Sequence, residues 1–219
     1  MQSICEGMKI DPHSSHAAPI LNPHSYPGAW LPYSAVISTE ELFEATFEHL
    51  EEHSRGKVPL LAIGSNAAPS QLRQKFLGQE FSILNLVARA SFSVGYAPFK
   101  SPYGAIPATA VFDGGESVVR CQFVEPRELE VLDATELPHY CRKTVVADVD
   151  FLGEVEAQVY VAVHDPLQDN FGTPLRLSPI HADGVMQAEV LRSHGEHLPT
   201  ASYGIPFDFP VNSNPLGSR

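Results

Sequence analysis

Leu60-Leu-Ala-Ile-Gly-Ser-Asn66 and Leu132-Asp-Ala-Thr-Glu136 hold the residue types from which an anion cradle and a proton carrier are built. The first is an apolar run that stops at Gly64, passes two small polar residues and reaches Pro69. A buried strand hands over to a loop and a helix in this way. The backbone N–H groups of such a loop can hold a carboxylate or phosphate. The second stretch sets a carboxylate at the end of a short amphipathic segment, before Leu137 and Pro138. A carboxylate among apolar neighbours is a candidate for a raised pKa and for proton transfer. Each feature also has a plain reading. Glu136 suits a solvated surface, Gly64 suits a turn with positive φ, and Ser65 or Asn66 suits a cap on the next helix. Cap and anion site use the same free N–H groups, so these two roles coexist.

The elements that must position these residues follow from pattern. Residues 1–37 lack sustained periodicity and read as an extended arm. Ile20, Leu21, Tyr26, Trp30, Leu31 and Tyr33 give that arm apolar groups with which to pack on a domain. Ser38 or Thr39 is a fitting N-cap for a helix running to about His53, with Glu40 and Glu41 in its first turn. A strand over Val58–Ile63 and a proline-started helix over Pro69–Phe76 come next. Glu80–Tyr96 alternates as one long or bent strand. Ala108–Phe112 and Ser117–Val124 flank Asp113-Gly-Gly115, the signature of a hairpin. Pro126 opens a short helix carrying Leu129 and Leu132 inward. Tyr140–Asp150 and Glu154–Val163 form a second hairpin across Gly153, and a last helix is expected near Ala182–His194. Strands dominate the middle, which predicts a mixed or antiparallel sheet or barrel.

Composition narrows the function. A net charge of −12 argues against nucleic acid and against an anionic membrane surface, because both require clustered Lys and Arg. No apolar run approaches the roughly 20 residues of a membrane helix, and the start lacks the pattern of a signal peptide. Cys5, Cys121 and Cys141 form no CxxC pair and read as reduced thiols in a cytoplasmic compartment. His49-Leu-Glu-Glu-His53 matches the inverted zinc-protease pattern, but both histidines fall off the apolar stripe of their helix, and no metal site is expected. Ser65 has no GxSxG elbow around it.

Three segments together resemble the gamma-glutamylcyclotransferase-like superfamily. Ala62-Ile-Gly-Ser-Asn66 looks like its Tyr-Gly-Ser loop, and Tyr103-Gly-Ala-Ile-Pro-Ala108 is similar to its second conserved segment. Leu129–Glu136, followed by Tyr140-Cys-Arg142 and a Val-rich strand, resembles the segment holding the family's catalytic glutamate. Ile63 stands where the family usually has tyrosine, and Leu137 where a glycine usually follows the glutamate. The resemblance implies an α+β fold: a small closed mixed β-barrel with flanking helices over residues 38–198. An N-terminal extension, 1–37, would pack on it, and 199–219 would form a C-terminal arm. It further implies intramolecular acyl transfer on a gamma-glutamyl amine or peptide, releasing 5-oxoproline without metal or cofactor. Glu136 would be the acid/base, and Gly64, Ser65, Asn66, Tyr103, Gly104 and Tyr140 would hold the small-molecule substrate. The alternatives are a non-catalytic binding module of the same fold, or an amide hydrolase or amine transferase using the same carboxylate.

Overall fold

A computed structural model describes residues 18–178 and 180–202. Its centre is a closed barrel of five strands. These are β3 (Val58–Ala62), β4 (Ser82–Ala90), β7 (Ser117–Val124), β8 (Tyr140–Val149) and β9 (Gly153–Ala162), in the ring order β4-β7-β3-β9-β8. A short β4–β8 pairing, Ala88↔Val149 to Ala90↔Ala147, closes the ring. The barrel is mixed, because β3 runs parallel to β9 while the other pairings are antiparallel. Closure leaves no exposed edge within the ring. Adjacent side chains on a strand point to opposite faces, and β3 shows what that accomplishes. Leu61 joins Leu86, Val119, Cys121 and Val159 in one buried cluster, while Leu60 joins Leu72 and Leu132 in a second. Those last two residues belong to helices α2 (Pro69–Lys75) and α3 (Pro126–Glu136).

Both helices start as expected, with proline in the first turn. The hairpin β8–β9 is paired along its whole length, and Gly153 at its turn has φ +73°. Three expectations need correction. No helix begins at Ser38. Residues 35–44 instead form two short strands, β1 (Ala35–Ser38) and β2 (Leu42–Glu44), and β1 lies along β4. The Ser38 hydroxyl accepts the Glu41 N–H at 2.9 Å, which makes it a turn residue rather than a cap. Helix α1 starts only at Phe47 and ends at Ser54. A boundary drawn at residue 37 therefore passes through a strand.

The long strand 80–96 is two strands. A bend at Ser91 and Phe92 sends β5 (Ser93–Tyr96) out of the barrel, where it pairs with β6 (Ala108–Val111) in a separate ribbon. The hairpin expected around Asp113 is consequently not one. Its turn chemistry is present, with Asp113 Oδ1 accepting the Gly115 N–H at 3.0 Å and Gly114 at φ +79°. Yet β6 pairs with β5 while β7 pairs with β4 and β3, so the turn joins two different sheets. The last helix, α4, covers only Gln187–His194. No described helix is long and apolar enough to cross a membrane.

Candidate active site

The chain leaves β3 through Ile63 and Gly64 and forms a single 3-10 turn, Ser65–Ala67. Ser65 and Asn66 open that turn, and their N–H groups have no acceptor among the described residues. The first two N–H groups of any such turn lack an internal partner. Neither side chain caps α2, whose N-cap is Ala68. The turn is fastened from beneath. Gln122 Nε2, buried on β7, donates to the Asn66 carbonyl at 2.8 Å and to Asn85 Oδ1 at 3.0 Å. Gly64 is required, but not by positive φ, since its φ is −137°. A Cβ at this position would sit 2.2 Å from the hydroxyl of Tyr26, a close approach that only glycine permits.

Glu136 ends α3, and its carboxylate faces this turn. Asn66 Nδ2 donates to Glu136 Oε1 at 3.1 Å, and Lys75 Nζ donates to the same oxygen at 2.9 Å. Oε2 takes no hydrogen bond from any described residue. Lys75 also donates to Thr135 Oγ1 at 2.6 Å. The ion pair is buried unequally, with the Lys75 side chain 4% exposed and that of Glu136 17%. A buried ammonium needs such a counter-charge. The expectation of a carboxylate among apolar neighbours is therefore corrected: this one has a lysine and an amide at hydrogen-bond distance. Asn66 Oδ1 is buried and has no partner among the described residues.

These groups line one cavity of about 60 Å³. Gly64, Ser65, Asn66, Tyr103, Glu136 and Tyr140 all contribute to its wall, together with Tyr26, Lys75 and Tyr160. Gly104 does not. It closes the turn 101–104 at φ +93°, its N–H donating to Ser101 O at 2.9 Å. Tyr140 donates its hydroxyl to Ala108 O at 2.8 Å and packs edge-on against Phe99 and Tyr160. Burial pushes the Tyr103 phenol up to about 12. Hydrogen bonding from Ser65 opposes that rise, and the charge of Glu136 adds to it. Tyr26 is raised well above the ordinary phenol value, again by burial first and then by Tyr103 and Glu136. Burial, hydrogen bonding to Asp133 and the charge of Glu136 raise Tyr160 as well. These phenols stay protonated, as neutral donors around one carboxylate.

Sequence reasoning missed Lys75, Thr135, Gln122 and Tyr26. A signal for Lys75 was present: it lies three residues after Leu72 and four after Gln71, on the buried face of α2. Nothing comparable marks Tyr26, because only the fold brings it to Gly64. The other tempting pattern resolves locally. His49 Nδ1 accepts the Thr46 N–H at 3.0 Å and completes the capping box of α1. Cys121 is buried, its thiol pushed up to about 12 by that burial.

No protein-family model matches the chain, and no curated protein matches it either. Among solved structures the chain is similar to two solution structures of Arabidopsis thaliana proteins. One is 19% identical, with a TM-score of 0.41, over 55% of this chain and 71% of that one. The other is 22% identical, with a TM-score of 0.38, over 52% of this chain and 77% of that one.

Proposed function

We propose that the protein is a gamma-glutamylcyclotransferase-like enzyme that converts a gamma-glutamyl amine or peptide into 5-oxoproline and a free amine. The observation that carries this reading is the setting of Glu136. Lys75 and Asn66 grip Oε1, while Oε2 of this cavity-lining residue takes no hydrogen bond from any described residue. A carboxylate oxygen without a donor suits a substrate ammonium, which must lose a proton to become a nucleophile. The carboxylate takes that proton. It sheds that proton to solvent, the α-nitrogen attacks the γ-carbonyl carbon and gives its second proton to the carboxylate, and the carboxyl hands this proton to the leaving nitrogen as the bond from that carbon breaks. Proton transfer of this kind contributes roughly 10²–10⁴-fold. Folding the glutamyl chain back so that its two ends meet supplies a further large part of the rate. The N–H groups of Ser65 and Asn66, without an acceptor among the described residues, suit the α-carboxylate.

One feature favours a second reading, a binding module without turnover. Lys75 is the more buried partner of its pair, so Glu136 has a structural duty whatever else it does. Screening gamma-glutamyl amino acids and amines for 5-oxoproline release separates the two. The enzyme reading expects a hit whose turnover falls by about 10²–10⁴ in Glu136→Gln, measured where that variant is folded. A hit unaffected by the substitution removes Glu136 from the mechanism. No hit, with ligands still raising the melting temperature, selects the binding module.

A further inference from the structure

The cavity wall includes a residue from outside the barrel. Tyr26 lies in the segment that precedes β1, is 4% exposed, and lines the same cavity as Glu136. Its oxygen accepts the Ala108 N–H at 2.6 Å. The hydroxyl proton is therefore turned away from Ala108, and no described residue accepts it. Gly64 stands against this hydroxyl so closely that a Cβ would collide with it. The phenol is thus held from one side by β6 and from the other by the loop whose N–H groups open the Ser65 turn. The rest of the wall shows what such a donor is for. No arginine lines the cavity among the described residues, the one lysine is committed to Glu136, and His139 has its Nε2 turned to the Ser202 backbone. The donors beside Gly64 that an anionic group would meet are neutral: the Tyr26 hydroxyl and the N–H groups of the Ser65 turn. A buried hydroxyl aimed at a charge makes a strong hydrogen bond, stronger than one between neutral groups.

We infer that Tyr26 is a specificity-determining residue, its O–H donating to the α-carboxylate of the ligand together with the N–H groups of Ser65 and Asn66. This rests on the gamma-glutamyl reading for the identity of the ligand. The segment ahead of the barrel is then part of the binding site, and the site selects ligands that carry a carboxylate at this end.

The test uses the full chain, Tyr26→Phe, and two ligands that differ only at the α-carboxylate: a gamma-glutamyl substrate and its α-carboxamide. With the wild type, KM is expected to be lower for the carboxylate. Tyr26→Phe should raise KM for the carboxylate by about ten- to a hundredfold, the worth of one hydrogen bond to a charge. Its kcat should stay close to wild type, and the KM for the carboxamide should stay unchanged. A variant that keeps the preference for carboxylate over carboxamide overturns the inference. An equal loss on both ligands overturns it too, because that is the signature of a merely structural role. If the wild type turns over neither compound, the reaction falls, and binding of 5-oxoproline against its carboxamide is measured by calorimetry instead. A wild-type preference for the carboxylate that disappears in Tyr26→Phe still supports Tyr26, and no wild-type preference overturns it. Should Tyr26→Phe fail to fold once Ala108 loses its acceptor, Gly64→Ala displaces the hydroxyl while keeping the phenol. The same loss of preference is expected there, and its persistence overturns the inference.

Discussion

Glu136→Gln removes the charge that offsets Lys75, and the buried ammonium has nowhere to go. Breaking one side of a buried ion pair costs about 3–5 kcal/mol, because the partner is stranded. Denaturant unfolding of Glu136→Gln is expected to show a loss near the lower end of that range, since the amide oxygen still accepts a hydrogen bond. Lys75→Met should cost less, because the Glu136 side chain is the more exposed of the two and can reach water. Combining both substitutions should restore part of the stability lost in Glu136→Gln. A lysine substitution that costs more than the glutamate one would contradict this ordering. Glu136 and the Gly64 loop were legible in the sequence, since a carboxylate at a helix end and a glycine after a strand are local patterns. Local pattern also suggested the wrong reason for Gly64. The constraint is a phenol from 38 positions earlier in the chain, and no window of sequence contains both.

At the scale of elements, the segment after β9 is pinned to β5 by His181. Its Nε2 accepts the Val94 N–H at 3.0 Å and lies 3.2 Å from Ser117 Oγ. Burial lowers this histidine below its ordinary value and Arg176 lowers it further, against Asp183 and Asp113. The folded protein thus holds the ring neutral at pH values where the unfolded chain binds a proton. Stability is full above the ordinary histidine value of about 6.5 and declines as pH falls toward the depressed one. His53, lowered first by its own burial, acts in the same direction. Melting temperatures measured from about pH 7 down to pH 5 should fall, and less steeply in His181→Gln. An unchanged slope would detach His181 from the acid response. The same elements show where reading stopped. Helices α2 and α3 and the β8–β9 hairpin were legible because proline starts and short turns act locally. The β5–β6 ribbon was not. Asp113-Gly-Gly115 specifies a turn but not which strands it joins, and alternation over 80–96 cannot show that the chain changes sheets at Ser91.

Across the whole molecule, residues 18–34 pack against the barrel and its helices. Ala18, Ile20 and Tyr26 are buried, and the Ile20 N–H donates to Gln71 Oε1 at 3.0 Å, tying the segment to α2. Ile20→Ala is expected to destabilise the protein by about 2–5 kcal/mol, as for other buried isoleucines. A change within 0.5 kcal/mol in denaturant unfolding would show that the segment only rests on the surface. The segment's apolar residues announced this packing, while Trp30 and Leu31 meet the buried Arg120 in a way that no pattern announced. Of the C-terminal arm expected over 199–219, residues 203–219 lie outside the described residues.

The parallel pairing of β3 with β9 sets an order of assembly. Leu60 must wait for Gln158, so the ring cannot close on a ribosome-bound chain until the last barrel strand has emerged. Contacts so far apart in sequence form slowly, whereas the β8–β9 hairpin is local and can form at once. A nascent chain halted just after α3 already contains Glu136, Lys75 and the Asn66 turn, yet has no barrel to hold them together. A ligand that needs both the Asn66 turn and Glu136 therefore finds its site only with completion of the fold, and on the proposed reading capture by a gamma-glutamyl compound would count finished molecules in a cell-free translation.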